Sequence, residues 1–137
     1  MDQKFPLAFS YDDVLLVPQY SKIESRNDVD LSVKITAKLS LKIPLISANM
    51  SDVTGSEMAS AMARLGGLGV IPRFMPAEEE ANMVSLVKKE NLLVGAAIGI
   101  RNGMYARAET LINAGADILF LDVAHGHMLK VIEAVRN

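Results

Sequence analysis

The amino-acid sequence predicts an α/β fold with a parallel sheet, and three observations carry that reading. Four apolar runs occur, at 43–48, 68–71, 92–100 and 116–123. Their starts lie about 25 residues apart, which accommodates one strand, one packed helix and short loops. The runs are continuous rather than alternating, as expected of strands covered on both faces.

The elements follow in order. Residues 1–42 precede the repeat and are expected to form a short N-terminal cap or hairpin. Their apolar cluster is Phe9 with Val14, Leu15, Leu16 and Val17, ended by Pro18. Val29, Leu31, Val33 and Ile35 then fall at every second position, which is strand-like. Residues 43–137 are expected to be four βα units of one domain.

After the first run, Thr54 and Glu57 have capping-box spacing, and Met58, Ala61, Met62 and Leu65 recur with helical period. Gly66 and Gly67 supply the turn into the next strand. A second helix opens at Pro76 with Glu78, Glu79 and Glu80 and closes with Lys88 and Lys89. Those charges complement the helix dipole at each end. The third helix carries Met104, Ala108, Leu111 and Ile112 on one face and stops at Gly115. A fourth groups Met128, Val131, Ile132 and Val135.

Two architectures suit this repeat, an open doubly wound sheet and part of a barrel. The open sheet would be complete at this length, whereas a barrel typically needs ~250 residues. Against the open sheet, no strand is followed by G-x-G-x-x-G. The Leu65–Val70 segment runs from helix into strand, the wrong direction for a phosphate-binding turn.

Composition narrows the function classes. The 137 residues are 50% hydrophobic, with a formal net charge of -2. Charges of both signs are dispersed, with no basic, aromatic-rich stripe of the kind that binds nucleic acid. Cysteine is absent, so this chain has no disulfide, thiol nucleophile or thiolate ligand. The N-terminal segment lacks a signal-peptide core, and no apolar run approaches the ~20 residues that span a bilayer. A cytoplasmic protein without membrane association is expected.

Polar residues gather where the apolar runs end. Those ends read Ser47-Ala48-Asn49-Met50-Ser51-Asp52, Pro72-Arg73-Phe74, Arg101-Asn102-Gly103 and Asp122-Val123-Ala124-His125-Gly126-His127. Barrel enzymes place their sites on that side. Asp122 closes an apolar strand, and a buried carboxylate is costly unless something binds it. It either accepts hydrogen bonds from ribose hydroxyls or caps the following helix. His125 and His127 have a spacing that allows a shared metal, but no further ligand is evident, so no metal site is assigned. Ser47 and Asn49 offer polar contacts to a ligand, and Met50 an adaptable apolar surface. The alternative is that these residues belong to a helix cap and the core. Arg73 and Arg101 are either anion ligands or surface charges.

These residues also carry a family resemblance. The segments 9–21 (FSYDDVLLVPQYS), 43–54 (IPLISANMSDVT), 58–71 (MASAMARLGGLGVI), 92–100 (LLVGAAIGI) and 113–127 (NAGADILFLDVAHGH) resemble the IMP dehydrogenase/GMP reductase family. The match is in order over nearly the whole chain. The resemblance implies the N-terminal half of a (β/α)8 TIM barrel that moves hydride between a purine nucleotide and a nicotinamide cofactor. It implies Asp122 at the nicotinamide ribose, His125 in the adjoining cofactor loop, and Ala48, Asn49 and Met50 beside the nucleotide.

Departures from the family pattern are evident. The usual M-D-x-V reads Met50-Ser51-Asp52-Val53, and Pro72 replaces a customary histidine. Residues 88–91 link the second helix to the third strand directly, where most IMP dehydrogenases insert paired CBS modules. The family's cysteine, phosphate-binding glycines and monovalent cation site have no counterpart in this half. The reading is therefore an IMP dehydrogenase-like oxidoreductase, NAD-linked, homo-oligomeric and inactive as this chain alone. GMP reductase with NADPH, a non-catalytic half-barrel, and a metal-dependent hydrolase using Asp122, His125 and His127 are the alternatives.

Overall fold

A computed structural model describes residues 6–136; the first five residues of the expected cap and Asn137 lie outside the described residues. The chain divides into two compact units, which meet between Asp30 and Leu31 in sequence.

The first unit contains two single 3-10 turns, Tyr11–Asp13 and Arg26–Asp28. Each is set by a serine three residues before an aspartate. The Ser10 amide donates to Asp13 Oδ2 at 2.8 Å, and the Ser25 amide to Asp28 Oδ2 at 3.1 Å. The Ser10 amide and hydroxyl bonds, both to the charged form, lower the Asp13 pKa. The expected alternation across Val29 and Leu31 is not realised as strand, and both residues are exposed.

The second unit opens with a hairpin, β1 (Val33–Lys34) antiparallel to β2 (Ser40–Leu41). Then follow α1 (Ser56–Arg64), β3 (Gly69–Ile71), α2 (Ala77–Lys89), β4 (Val94–Ile98), α3 (Met104–Asn113), β5 (Ile118–Leu121) and α4 (Leu129–Arg136). Strands β3, β4 and β5 form a parallel sheet in sequence order. The expected first strand is reduced to one parallel bridge, Ile46 to Leu68. The Ser47 amide donates to Leu68 O and the Leu68 amide to Leu45 O, so this segment extends the sheet beyond β3. The Leu45 amide, which would make the next rung, donates instead to the Ile43 carbonyl at 2.9 Å, so the ladder stops there.

The two faces of the sheet are covered differently. Ile71, Val94, Ala96 and Ile98 pack with Ala59 of α1, Val84 and Val87 of α2, and Leu111 of α3. Val70, Ala97, Ile118 and Phe120 face the other way, with Leu68 and Leu41 of the hairpin. Successive side chains of a strand point to opposite faces, so α1, α2 and α3 all lie on one side. A doubly wound sheet puts helices on both sides and reverses its strand order. One-sided helices over sequentially ordered parallel strands are consistent with part of a barrel. Among the described residues, no helix is long and apolar enough to cross a membrane.

Helix boundaries follow the sequence closely, but the buried face of α1 does not. Met58 and Leu65 are exposed, and Ala59 and Ser60 are buried instead. Large residues are displaced from the contact because the helix sits directly on the sheet at Gly69. A Cβ added to Gly69 would lie 2.2 Å from Ala59 Cα. The expected Thr54–Glu57 capping box is also absent: Gly55 is the N-cap, and the Thr54 side chain turns back into the preceding loop. Gly66 and Gly115, at φ 91° and 101°, make the turns after α1 and α3 that a left-handed backbone requires.

Gly69→Ala is expected to lower the unfolding free energy by about 2–3 kcal/mol, as overpacking at a backbone contact does. Gly126→Ala, whose new methyl meets nothing within 4 Å, is the matched control. Urea unfolding checks both; equal midpoints would show that α1 does not rest on Gly69.

Candidate active site

Parallel pairing puts the C-terminal ends of all four strand segments along one edge of the second unit. The loop after the first segment is tied by Thr54, which is buried. Its hydroxyl donates to the Ala48 carbonyl at 2.5 Å and lies 2.8 Å from Ser47 Oγ. The Met50 carbonyl accepts from the Val53 and Thr54 amides at 2.9 Å, which closes the turn. Thr54 and Ser47 therefore shape this loop, and Thr54 does not cap α1. Ala48 and Met50 are exposed on it, and Asn49 is half-buried.

At the other end of the row, the Asp122 amide donates to Ile98 O at 2.8 Å and prolongs β5 against β4. The Asp122 side chain does not cap α4. Its Oδ2 accepts from Arg73 Nε at 2.9 Å, with both side chains about 30% exposed (31% and 28%). Arg73 comes from the β3–α2 loop, so it crosses the end of β4 to reach Asp122. The guanidinium passes over Gly99, where an added Cβ would make ordinary van der Waals contact with it at 3.5 Å. The same guanidinium stacks on Phe74, 4.4 Å from the ring centroid. Arg73 is thus the partner of Asp122, not an isolated surface charge.

A second ion pair underlies the first, and sequence reading missed it. Glu80 is fully buried on α2, and its Oε2 pairs with Arg107 Nη1 of α3. Arg107 also donates to the Arg73 carbonyl through Nη1 at 3.3 Å and to the Met75 carbonyl through Nη2 at 2.7 Å. Burial pushes the Glu80 pKa up to about 7, against the lowering influence of Arg107, the Ala97 backbone amide and Arg73. Glu80 had the appearance of one of three dipole-compensating acids. The available signal was spacing, since Glu80, Val84 and Val87 share a helical face, as do Met104, Arg107 and Leu111.

Two clefts open along these strand ends. One of about 140 Å³ is lined by Arg73, Gly99, Arg101, Asn102 and Arg107. Another of about 470 Å³ lies between the start of α3 and Lys130 and Glu133 of α4. His125 and His127 are exposed in the loop before α4. Among the described residues, no three His, Cys, Asp or Glu side chains cluster as a metal site would require. The 48–50 loop and Asp122 share one side of the sheet but not one pocket. Three strand spacings separate them, roughly 14 Å along the sheet.

A one-sided parallel sheet with polar groups gathered at its strand ends defines an α/β domain built from βα repeats. The chain belongs to the IMP dehydrogenase / GMP reductase domain family, whose sequence model matches residues 8–137. It is 36% identical to the inosine-5'-monophosphate dehydrogenase of Cryptosporidium parvum, over 95% of this chain and 42% of that protein. The Nitrosopumilus maritimus protein of the same name is 50% identical over 63% of this chain and 18% of its own length. That of Bacillus subtilis is 55% identical over 60% and 17%. The chain thus spans less than half the length of these relatives. The Cryptosporidium alignment runs over 173 positions, more than the 137 residues of this chain, so that protein has additional residues within the matched span. Here α2 passes to β4 through a tight turn, with Glu90 as C-cap and Asn91 at φ 57°.

The raised Glu80 pKa has a definite sign. The folded protein binds the Glu80 proton more tightly than the unfolded chain, whose carboxylate has the ordinary value of 4.5. That contribution to stability is complete below about pH 4.5 and is lost as pH rises through about 7. Glu80→Gln should therefore gain stability relative to the parent between pH 5 and pH 8, by an amount on the order of 2 kcal/mol. Thermal or urea unfolding at both pH values measures it. A constant difference would mean that Glu80 is not desolvated.

Proposed function

We propose that this chain is the N-terminal, four-unit half of a (β/α)8 barrel and serves an IMP dehydrogenase-type purine nucleotide oxidoreductase. The observation that carries this reading is the family match over residues 8–137, joined to a one-sided parallel sheet in sequence order. Every relative named above is an IMP dehydrogenase, which favours oxidation of IMP with NAD over reduction of GMP with NADPH. The proposal includes a cytoplasmic homo-oligomer. Its support is the exposed apolar surface of Leu45 and Ile46 at one sheet edge and the open edge of β5 at the other.

Within this reading the chain binds and orients. Asp122 suits a ribose diol: it is partly exposed at a strand end, and among the described residues its hydrogen-bond partner is Arg73, at Oδ2. A carboxylate accepts hydroxyl hydrogen bonds, and Arg73 holds this one in place. His125 flanks it in the adjoining loop as a further cofactor contact. Ala48, Asn49 and Met50 supply the nucleotide side, on the loop that Thr54 fixes. A bound nicotinamide would supply the hydride acceptor. The chain contains no cysteine, so a covalent purine step has no thiol here, and turnover is not expected from this chain alone.

Calorimetric titration with NAD tests the assignment. The parent chain should bind, and Asp122→Ala should weaken binding about tenfold or more, the worth of a hydrogen bond to a charged group. No binding by the parent, or unchanged affinity in the variant, would remove the cofactor role.

A further inference from the structure

We infer that Arg107 is a positioning residue, which holds the β3–α2 loop so that Arg73 reaches Asp122 across the end of β4. This rests on the proposed cofactor role of Asp122 and extends it to a residue outside the strand ends.

The loop in question is Pro72-Arg73-Phe74-Met75-Pro76. A proline at each end removes two backbone donors, so the loop cannot close through amide bonds at those positions. Its Arg73 and Met75 carbonyls instead accept from the two terminal nitrogens of Arg107, at 3.3 and 2.7 Å. A planar guanidinium presents its donors in a fixed fork, so both carbonyls are placed together. The fork itself is fixed by Glu80, fully buried on the neighbouring helix. From that anchored carbonyl, the Arg73 side chain runs over Gly99 and donates to Asp122 at 2.9 Å. Four residues, from α2, α3, the β3–α2 loop and the position just after β5, thus form one chain of contacts. Its far end is the carboxylate assigned to the ribose. Arg107 touches neither ligand position, and its influence on Asp122 passes entirely through Arg73.

Charge at Arg107 and its fork geometry are separable. Arg107→Lys keeps a cation for Glu80 but cannot span both carbonyls, whereas Arg107→Met removes both features. The readout is the Arg73 Nε–H cross-peak in 15N-labelled full chain, assigned by its disappearance in Arg73→Lys. In the parent this proton is hydrogen-bonded and should be protected from exchange with water. In Arg107→Lys we expect the peak to be lost to exchange while the β3–β5 amide peaks stay in place. Glu80→Gln, which can still accept from Arg107, should retain it. A protected Arg73 peak in folded Arg107→Lys overturns the inference. Should Arg107→Met not fold, the lysine variant alone decides. The measurement needs no cofactor, so a parent chain that fails to bind NAD would sink the functional assignment while leaving this result standing.

Discussion

A fully buried carboxylate is the constraint around which the strand-end region is organised. Glu80 sits among the apolar contacts of α2 and β4, where a lone charge would be costly. Arg107 meets that cost from the next helix, and its remaining donors go to the β3–α2 loop. Removing one member of a buried pair typically costs about 3–5 kcal/mol, because the other is left uncompensated. The pair therefore ties two helices and a loop into one arrangement, and Arg73 and Asp122 inherit their positions from it.

The sheet explains why this arrangement lies where it does. Helices α1, α2 and α3 occupy one face, so adjacent helices can exchange side chains such as Glu80 and Arg107. The opposite face carries Val70, Ala97 and Phe120 and is approached by the hairpin. Phe120 leans over β4, where a Cβ at Gly95 would lie 2.9 Å from its ring. Gly95 and Gly69 thus admit an aromatic ring and a helix at two levels of the sheet. The opposite end of the sheet has its own clasp. Asp117 accepts from Lys88 and from the Val94 amide, joining α2 to the start of β4 and β5.

Much of this was legible in the sequence because it depends on local period. Continuous apolar runs located β3, β4 and β5, and acidic and basic ends located α2. Asp122 stood out as a carboxylate in an apolar strand. What could not be read depends on pairing between distant segments. The Leu45 amide turns back to the Ile43 carbonyl, which leaves an expected strand as a bridge. Ala59 replaced Met58 at the α1 contact because Gly69, ten residues on, brings the helix close. Glu80 looked like a dipole charge because its partner lies on another helix, 27 positions away. Arg73 resembled a surface residue for the same reason, since Asp122 is 49 positions away.

The central claim is that Arg107 and Asp122, which share no hydrogen bond, are coupled through Arg73. A double-mutant cycle with Arg107→Lys and Asp122→Asn, read by urea unfolding, measures that coupling directly. Sites without shared partners add to within about 0.5 kcal/mol. The network predicts an interaction energy above that level in the parent and its loss when Arg73 is replaced by Met. Additive effects in the parent, or coupling that persists without Arg73, would contradict it.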